Sequence, residues 1–462
     1  MKIVTAAQSG LLFALLSVAA GQTPDDSVLQ PAPGRRVITL TPEPGSFGSP
    51  SIAINHANPQ QAVVGFGSHT SVGYTTDGGE HWALAQGTAL TNYRSFGDNS
   101  VTYDNKGHAI YAFIALDGGG SWRYWGHNPK RNSIQIRRSL DGGKTWEPNS
   151  IPVIEHPEAP GTPFEDKPWI VADAQPHSPF AGNLYVGWTE DRIADSIILF
   201  SRSTDGGLTW SQPIRISDRA GGPRDDEGTV QGFSGAVTPD GALHVVWFDK
   251  GQITYAVSRD GGKTFSPNTM VAKAGPSNFM VFNANHANGY PQIDVATASS
   301  GGPPHMYVAW NDYRNGDVDV FCSFSTDGGR NWVGPMRVNY DPIHNGADQL
   351  FQWLAVDPVT GAVNIMFYDR RRDPANKSVD VVLARSSDGG RTFRNYLLSE
   401  HSYDPMDTMI GEYTGLAAYG GRVFGSWVEV VPPKAGAPVS HGELPVVLHI
   451  GMADFQKPNR NK

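Results

Sequence analysis

The sequence predicts an all-β protein, a β-propeller of seven four-stranded blades with six as the alternative count, closed into a ring by an N-terminal strand. Three observations predict it. One octet recurs six times, roughly sixty residues apart, which leaves room for four short strands and their loops. Alternating apolar strands come in pairs before each recurrence. Turn formers are abundant, with 53 Gly and 34 Pro in 462 residues, and no segment is low in complexity.

The octets begin at Thr75, Ser139, Ser203, Ser258, Ser325 and Ser386 and run from "TTDGGEHW" to "SSDGGRTF". Their aspartates are Asp77, Asp141, Asp205, Asp260, Asp327 and Asp388. Each carboxylate can accept nearby backbone N–H groups and close a hairpin. Glycine supplies positive φ, the Ser or Thr adds a side-chain bond, and the closing Trp or Phe packs inward. A residue repeated in every unit builds scaffold, so these aspartates are expected to be structural.

Each octet follows a third strand such as "ITYAVS", and seven strand pairs are found, from "SIAIN…QAVVGF" to "TGLAA…VFGSWVE". The seventh unit ends in "LPVVLHIGMA" without a fourth strand of its own, and "RVITLTPE" near the N-terminus is left over to complete it. The expected organisation is a signal peptide over 1–21, a flexible lead-in over 22–35, one propeller domain over 36–455 and a disordered tail over 456–462. The signal peptide rests on Lys2, an apolar run over 11–20 too short to span a bilayer, and the small and polar residues that follow. It predicts a secreted or periplasmic protein with no integral membrane segment in the mature chain.

The net charge of −9 and the lack of any Lys/Arg block argue against a nucleic-acid partner. Cys322 is the sole cysteine, so no internal disulfide can form, and its place in an alternating strand reads as a buried small hydrophobe. The histidines form no zinc pattern, and neither a Gly-x-Ser-x-Gly elbow nor a phosphate loop is present. No cofactor is expected, although acidic loops and carbonyls could hold a structural Ca²⁺.

In a propeller each inner strand starts, and each second strand ends, on one face. The octets join third to fourth strands and therefore lie on the other. Ligand chemistry is expected among the non-repeated residues of the first face. The inner-strand starts offer Asp98, Asp166, Glu227, Asp348, Glu412 and Tyr413. The second-strand ends repeat an aromatic-x-acid pattern, through Glu190, Asp249, Asp312, Asp369 and Glu429, that reads either as loop capping or as an acid/base set. The loop over 117–132 carries Trp122, Tyr124 and Trp125, which could stack on sugar rings or fold back as a lid. Arg370 or Arg371 could hold a carboxylate in a two-pronged bond or pair with Asp369 or Asp373.

The octet resembles the Asp-box, or bacterial neuraminidase repeat, of sialidase-like propellers, and the resemblance covers roughly residues 50–453. It implies the propeller fold. For activity it is less specific, because Asp-boxes also occur in lyases, other glycosidases, sorting receptors and binding modules. The resemblance implies a late tyrosine nucleophile, and Tyr413 in "EYTGLAAYGG" is similar in place. It implies a glutamate partner, Glu227 or Glu190, and an early acid/base, Asp98 or Asp117; Asp166, from its inner-strand start, is a further catalytic candidate. It implies three arginines on the substrate, for which Arg192, Arg314 and Arg370 hold similar positions; Asp348 and Glu412 are substrate-binding candidates from their inner-strand starts. The sequence departs from the family at its Arg-Ile-Pro motif, which is missing; the nearest early arginine is Arg94. The expected function is a secreted, sialidase-like propeller acting on a glycan as a glycoside hydrolase. The alternatives are a non-catalytic glycan- or protein-binding module and a polysaccharide lyase.

Overall fold

The computed structural model describes residues 29–456 apart from 42, 46–47, 68–70, 89–92, 119–129, 224–227, 277, 280, 285–286, 297–302, 409 and 433–443. Seven antiparallel sheets are arranged in sequence order. Blade one runs Ser51–Ile54, Ala62–Phe66, Ser71–Thr75, Ala83–Leu84, and blade two Ser95–Tyr103, Ala109–Leu116, Asn132–Ser139, Ile151–His156. Blade three is Phe164–Ala172, Leu184–Asp191, Ser196–Ser203, Ile214–Arg215, and blade four Val230–Val237, Leu243–Asp249, Gln252–Ser258, Thr269–Lys273. Blade five is Gln292–Ala296, His305–Asp312, Asp319–Ser325, Val333–Arg337, and blade six Gln349–Val356, Val363–Asp369, Asp380–Ser386, Arg394–Leu397. Blade seven has Gly415–Tyr419, Arg422–Val430 and Val446–Asp454, and its fourth strand is Arg36–Thr39, paired from Arg36↔Met452 to Thr39↔His449. The leftover N-terminal strand thus closes the ring and removes an open edge.

The lead-in expected to be flexible over 22–35 is ordered from Leu29 onward. Gln30–Pro31 pair in parallel with Tyr396 and Leu397 as a fifth strand of blade six, and Leu29 and Ala32 are buried. Outer-edge pairing outweighs the Pro-rich composition of this segment.

The core lies between blades. The second strands contribute Trp188, Trp247, Trp310 and Trp427, all buried. Inner strands are stapled across the ring by side chains. Ser51 Oγ accepts the Val101 N–H at 3.1 Å, Ser100 Oγ the Ile170 N–H at 3.0 Å, and Ser234 Oγ the Ile293 N–H at 3.2 Å.

Each octet is a hydrogen-bonded knot between third and fourth strands. In blade three, Ser203 Oγ donates to Asp205 Oδ1 at 2.7 Å and accepts the Gly207 N–H at 2.8 Å. Asp205 Oδ1 then takes the N–H groups of Leu208 and Thr209, and Oδ2 takes the Thr209 hydroxyl. The other octets repeat this pattern with the hydroxyls of Thr75, Ser139, Ser258, Ser325 and Ser386. The second glycine also abuts the preceding blade. A Cβ on Gly262 would meet the Phe200 ring at 2.9 Å, and its φ of +78° is one that only glycine adopts freely. The octet therefore joins blades as well as strands.

Ser203→Ala leaves the buried Gly207 N–H unpaired and should cost about 1–3 kcal/mol, measured by denaturant unfolding. Asp327 is held down to about 2, chiefly by the Asn331 backbone N–H and then its side-chain amide, and Asp77 to about 2 by the His81 N–H. Folded values below unfolded ones give stability that is present above about pH 4 and lost as pH falls towards about 2. Melting temperature measured between pH 5 and 2.5 should fall across that window, and octet Asp→Asn variants should flatten the fall.

Candidate functional site

The inner strands of blades two, three, four and six carry bulges at Gly97/Ser100, Asp166/Trp169, Gln231/Ser234 and Leu350/Trp353. Each bulge contains a left-handed residue: Asp98 (φ 44°), Lys167 (52°), Gly232 (76°) and Phe351 (52°). Three of these four are not glycine, a conformation that costs about 1–3 kcal/mol each and that clusters at functional sites. The bulges at Asp98 and Lys167 re-aim the strand starts of blades two and three.

Those starts meet groups from the opposite side of the ring. Asp98 hydrogen-bonds Asp166 and feels the charges of Asp166, Lys167 and Glu412. Lys167 Nζ donates to Asp166 Oδ2 at 2.6 Å and lies 5.6 Å from the centre of the Tyr290 ring. Tyr413 donates its hydroxyl to the Asn99 carbonyl at 3.3 Å. Beside it, the Trp169 and Trp353 ring centres are 4.7 Å apart, and Trp353 lies 5.5 Å from Tyr413. Blades two, three, six and seven thus build one axial site with aromatic packing beneath three carboxyl groups and one ammonium.

Its electrostatics are set by burial. Desolvation, followed by the Asp166 charge, raises the Asp98 carboxyl well above the usual carboxylate range. The Tyr413 phenol is likewise pushed up by burial and then by Asp98. A hairpin of Asn278–Phe279 with Ala287–Asn288, on the loop between blades four and five, reaches the same place. Asn288 Nδ2 donates to the Glu412 carbonyl and to Glu412 Oε2 at 3.2 Å, and Tyr290 donates to Asn278 Oδ1 at 3.3 Å.

The structure brings together Asp98, Asp166, Glu412 and Tyr413, four of the residues singled out by sequence. Lys167, Tyr290, Asn288, Trp169 and Trp353 join them. The signal for Lys167 is its place next to Asp166 at an inner-strand start; the hairpin carries no periodic signal. Glu227, Trp122, Tyr124 and Trp125 lie outside the described residues, as does the 1–21 segment.

The three arginines sit elsewhere and are engaged locally. Arg192 makes two bonds to Asp195, at 2.7 and 2.9 Å, and Arg314 folds onto Asp312. Arg370 is fully buried under the hairpin, donating to the Phe282 carbonyl at 2.7 Å. Asp348 braces loops, accepting the Val318 N–H at 3.0 Å and the Asn376 amide at 2.7 Å. The second-strand acids are held by neighbouring basic side chains: Asp117 by Arg131, Asp249 by Arg219, Asp369 by Arg371, Glu429 by His401. Asp312 also accepts the Arg314 backbone N–H, and Asp369 that of Arg371, which is the capping geometry. Cys322 is buried, and desolvation pushes its thiol up to about 12, so it is no nucleophile at neutral pH. Among the described residues, no helix is long and apolar enough to cross a membrane.

No protein-family model matches the chain. A curated sialidase from Micromonospora viridifaciens is 27% identical over 213 residues, which is 41% of this chain and 29% of that protein. The chain thus spans less than a third of that curated relative's length. Among solved structures, a point mutant of the NanB sialidase from Streptococcus pneumoniae aligns with a TM-score of 0.51 at 11% identity, over 71% of this chain and 67% of that one. The intramolecular trans-sialidase from Ruminococcus gnavus, in complex with oseltamivir carboxylate, aligns with a TM-score of 0.50 at 12% identity, over 78% of this chain and 96% of that one. At these identities the likeness is one of fold, and the chain is a seven-bladed propeller similar in fold to sialidases.

Proposed function

We propose that this chain is a carbohydrate-active propeller that hydrolyses a glycosidic bond at its axis. The observation that carries this reading is the close carboxyl pair of Asp98 and Asp166, with Asp166 paired to Lys167 and burial pushing the Asp98 carboxyl up. A carboxyl kept protonated can give its proton to the departing sugar oxygen. Glu412, which feels Asp98 from across the site, is the second carboxylate that glycoside hydrolysis requires, as base or nucleophile. Asp166 and Lys167 position Asp98. Tyr413 is kept protonated by burial and carboxylate neighbours, and we assign it to the aromatic wall rather than to attack. The same property disfavours a lyase reading with Tyr413 as base.

The charge balance bears on the substrate. Three carboxyl groups surround one ammonium, already paired; Arg192 and Arg314 are spoken for by Asp195 and Asp312, and Arg370 is buried with Nη1 on the Phe282 carbonyl and its Nε and Nη2 without a hydrogen-bond partner. Such a site repels a carboxylate, so we assign a neutral or amino sugar rather than sialic acid. Export directed by the 1–21 segment suits a glycan substrate, and N-terminal sequencing of the mature chain would test it.

The experiment is hydrolysis of a panel of neutral, amino and sialic glycosides. Wild type should release sugar from a neutral or amino glycoside. Asp98→Asn should lose about 10²- to 10⁴-fold in kcat. Tyr413→Phe should lose far less; an equal loss would restore the tyrosine as nucleophile. Glycan binding without release by wild type would replace the enzyme with a binding module. Because the folded Asp98 holds a proton that the unfolded chain releases above about pH 4, it draws stability down as pH rises towards its raised value. Asp98→Asn should therefore melt at or above wild type at pH 8, with the difference shrinking towards pH 4.

A further inference from the structure

A second titratable cluster lies between blades two and three, one residue along the strand from Asp166. His156 ends the outermost strand of blade two. Glu165 starts the inner strand of blade three, and Glu190 is its register partner on the second strand. Glu165 Oε1 lies 2.6 Å from His156 Nε2, and one ligand atom from each of the three side chains falls within 4.8 Å of the others.

We infer that His156, Glu165 and Glu190 bind one divalent transition-metal ion of the Zn²⁺ or Mn²⁺ kind, which clips blade two to blade three. The donor set is one imidazole nitrogen and two carboxylates. This suits borderline ions better than Ca²⁺, which takes six to eight oxygens. The arrangement has the outer support that metal ligands require. Glu165 is fully buried, its other oxygen accepts the indole N–H of the equally buried Trp188, and its backbone N–H is fixed by Asn132 Oδ1 at 3.2 Å. The arginine beside Glu190 is Arg192, 3.8 Å away and bonded to Asp195. His156 and Glu190 retain 23% and 14% side-chain exposure, which gives an ion a path in and leaves a face of its coordination shell for water. The inference is independent of the glycosidase reading.

The test uses the untagged chain, stripped with EDTA and titrated calorimetrically with ZnCl₂, MnCl₂ and CaCl₂. The expected result is one Zn²⁺ or Mn²⁺ per chain, a raised melting temperature on loading, and affinity lower by at least about tenfold in His156→Ala and Glu190→Gln. Glu190→Gln should melt like wild type in EDTA, whereas His156→Ala, which strands the buried Glu165 carboxylate, should melt lower. If His156→Ala fails to fold, the near-isosteric Glu190→Gln carries the comparison. Absence of saturable binding, or wild-type affinity in Glu190→Gln, would overturn the assignment. Tighter binding of Ca²⁺ than of Zn²⁺ and Mn²⁺ would overturn the choice of ion.

Discussion

Closing seven sheets into a ring brings the starts of their inner strands within side-chain reach of one line, and the chemistry at the axis depends on that convergence. Blades face one another there across the ring. A carboxyl from blade two is therefore influenced by groups from blades three and seven as strongly as by its own strand. Burial does the rest: it penalises charge, and among neighbouring acids it pushes one carboxyl up most. Asp98 is that group. Its left-handed backbone, like that of Lys167, is strain that the surrounding sheets must hold in place.

The convergence is stable because the outside of the ring is knotted. The octets place a buried hydroxyl, two glycines and a carboxylate where the third strand turns into the fourth. Their second glycines seat against the preceding blade, as Gly262 does on Phe200. Between the octets and the axis, serine hydroxyls such as Ser51 and Ser100 tie each inner strand to the next. Scaffold and site thus occupy opposite faces, and the most repeated residues are the least involved in ligand chemistry.

This separation explains what can be read from the sequence. The octets are local devices, so their spacing gives the repeat, the seven strand pairs give the blade count, and the leftover N-terminal strand gives the closure of the ring. Asp98, Asp166, Glu412 and Tyr413 share a place in the topology, the inner-strand start, and topology alone brings them together. The arginines break that logic. Arg192 and Arg314 stand at blade positions suited to a substrate, but an acid two or three residues away captures each of them. His156 is invisible for a different reason: it reaches Glu165 and Glu190 from the outer edge of another blade, and nothing in its neighbourhood of sequence announces that contact. The hairpin Asn278–Asn288 likewise meets Glu412 across more than a hundred residues.

The chemistry at the axis stands on the proton of Asp98. Infrared difference spectroscopy between wild type and Asp98→Asn at neutral pH measures it directly. The structure predicts a protonated-carboxyl C=O band in wild type that is lost in the variant. A carboxylate band in its place would mean that Asp98 is ionised, and that the axis holds charge the folded chain has some other means of balancing.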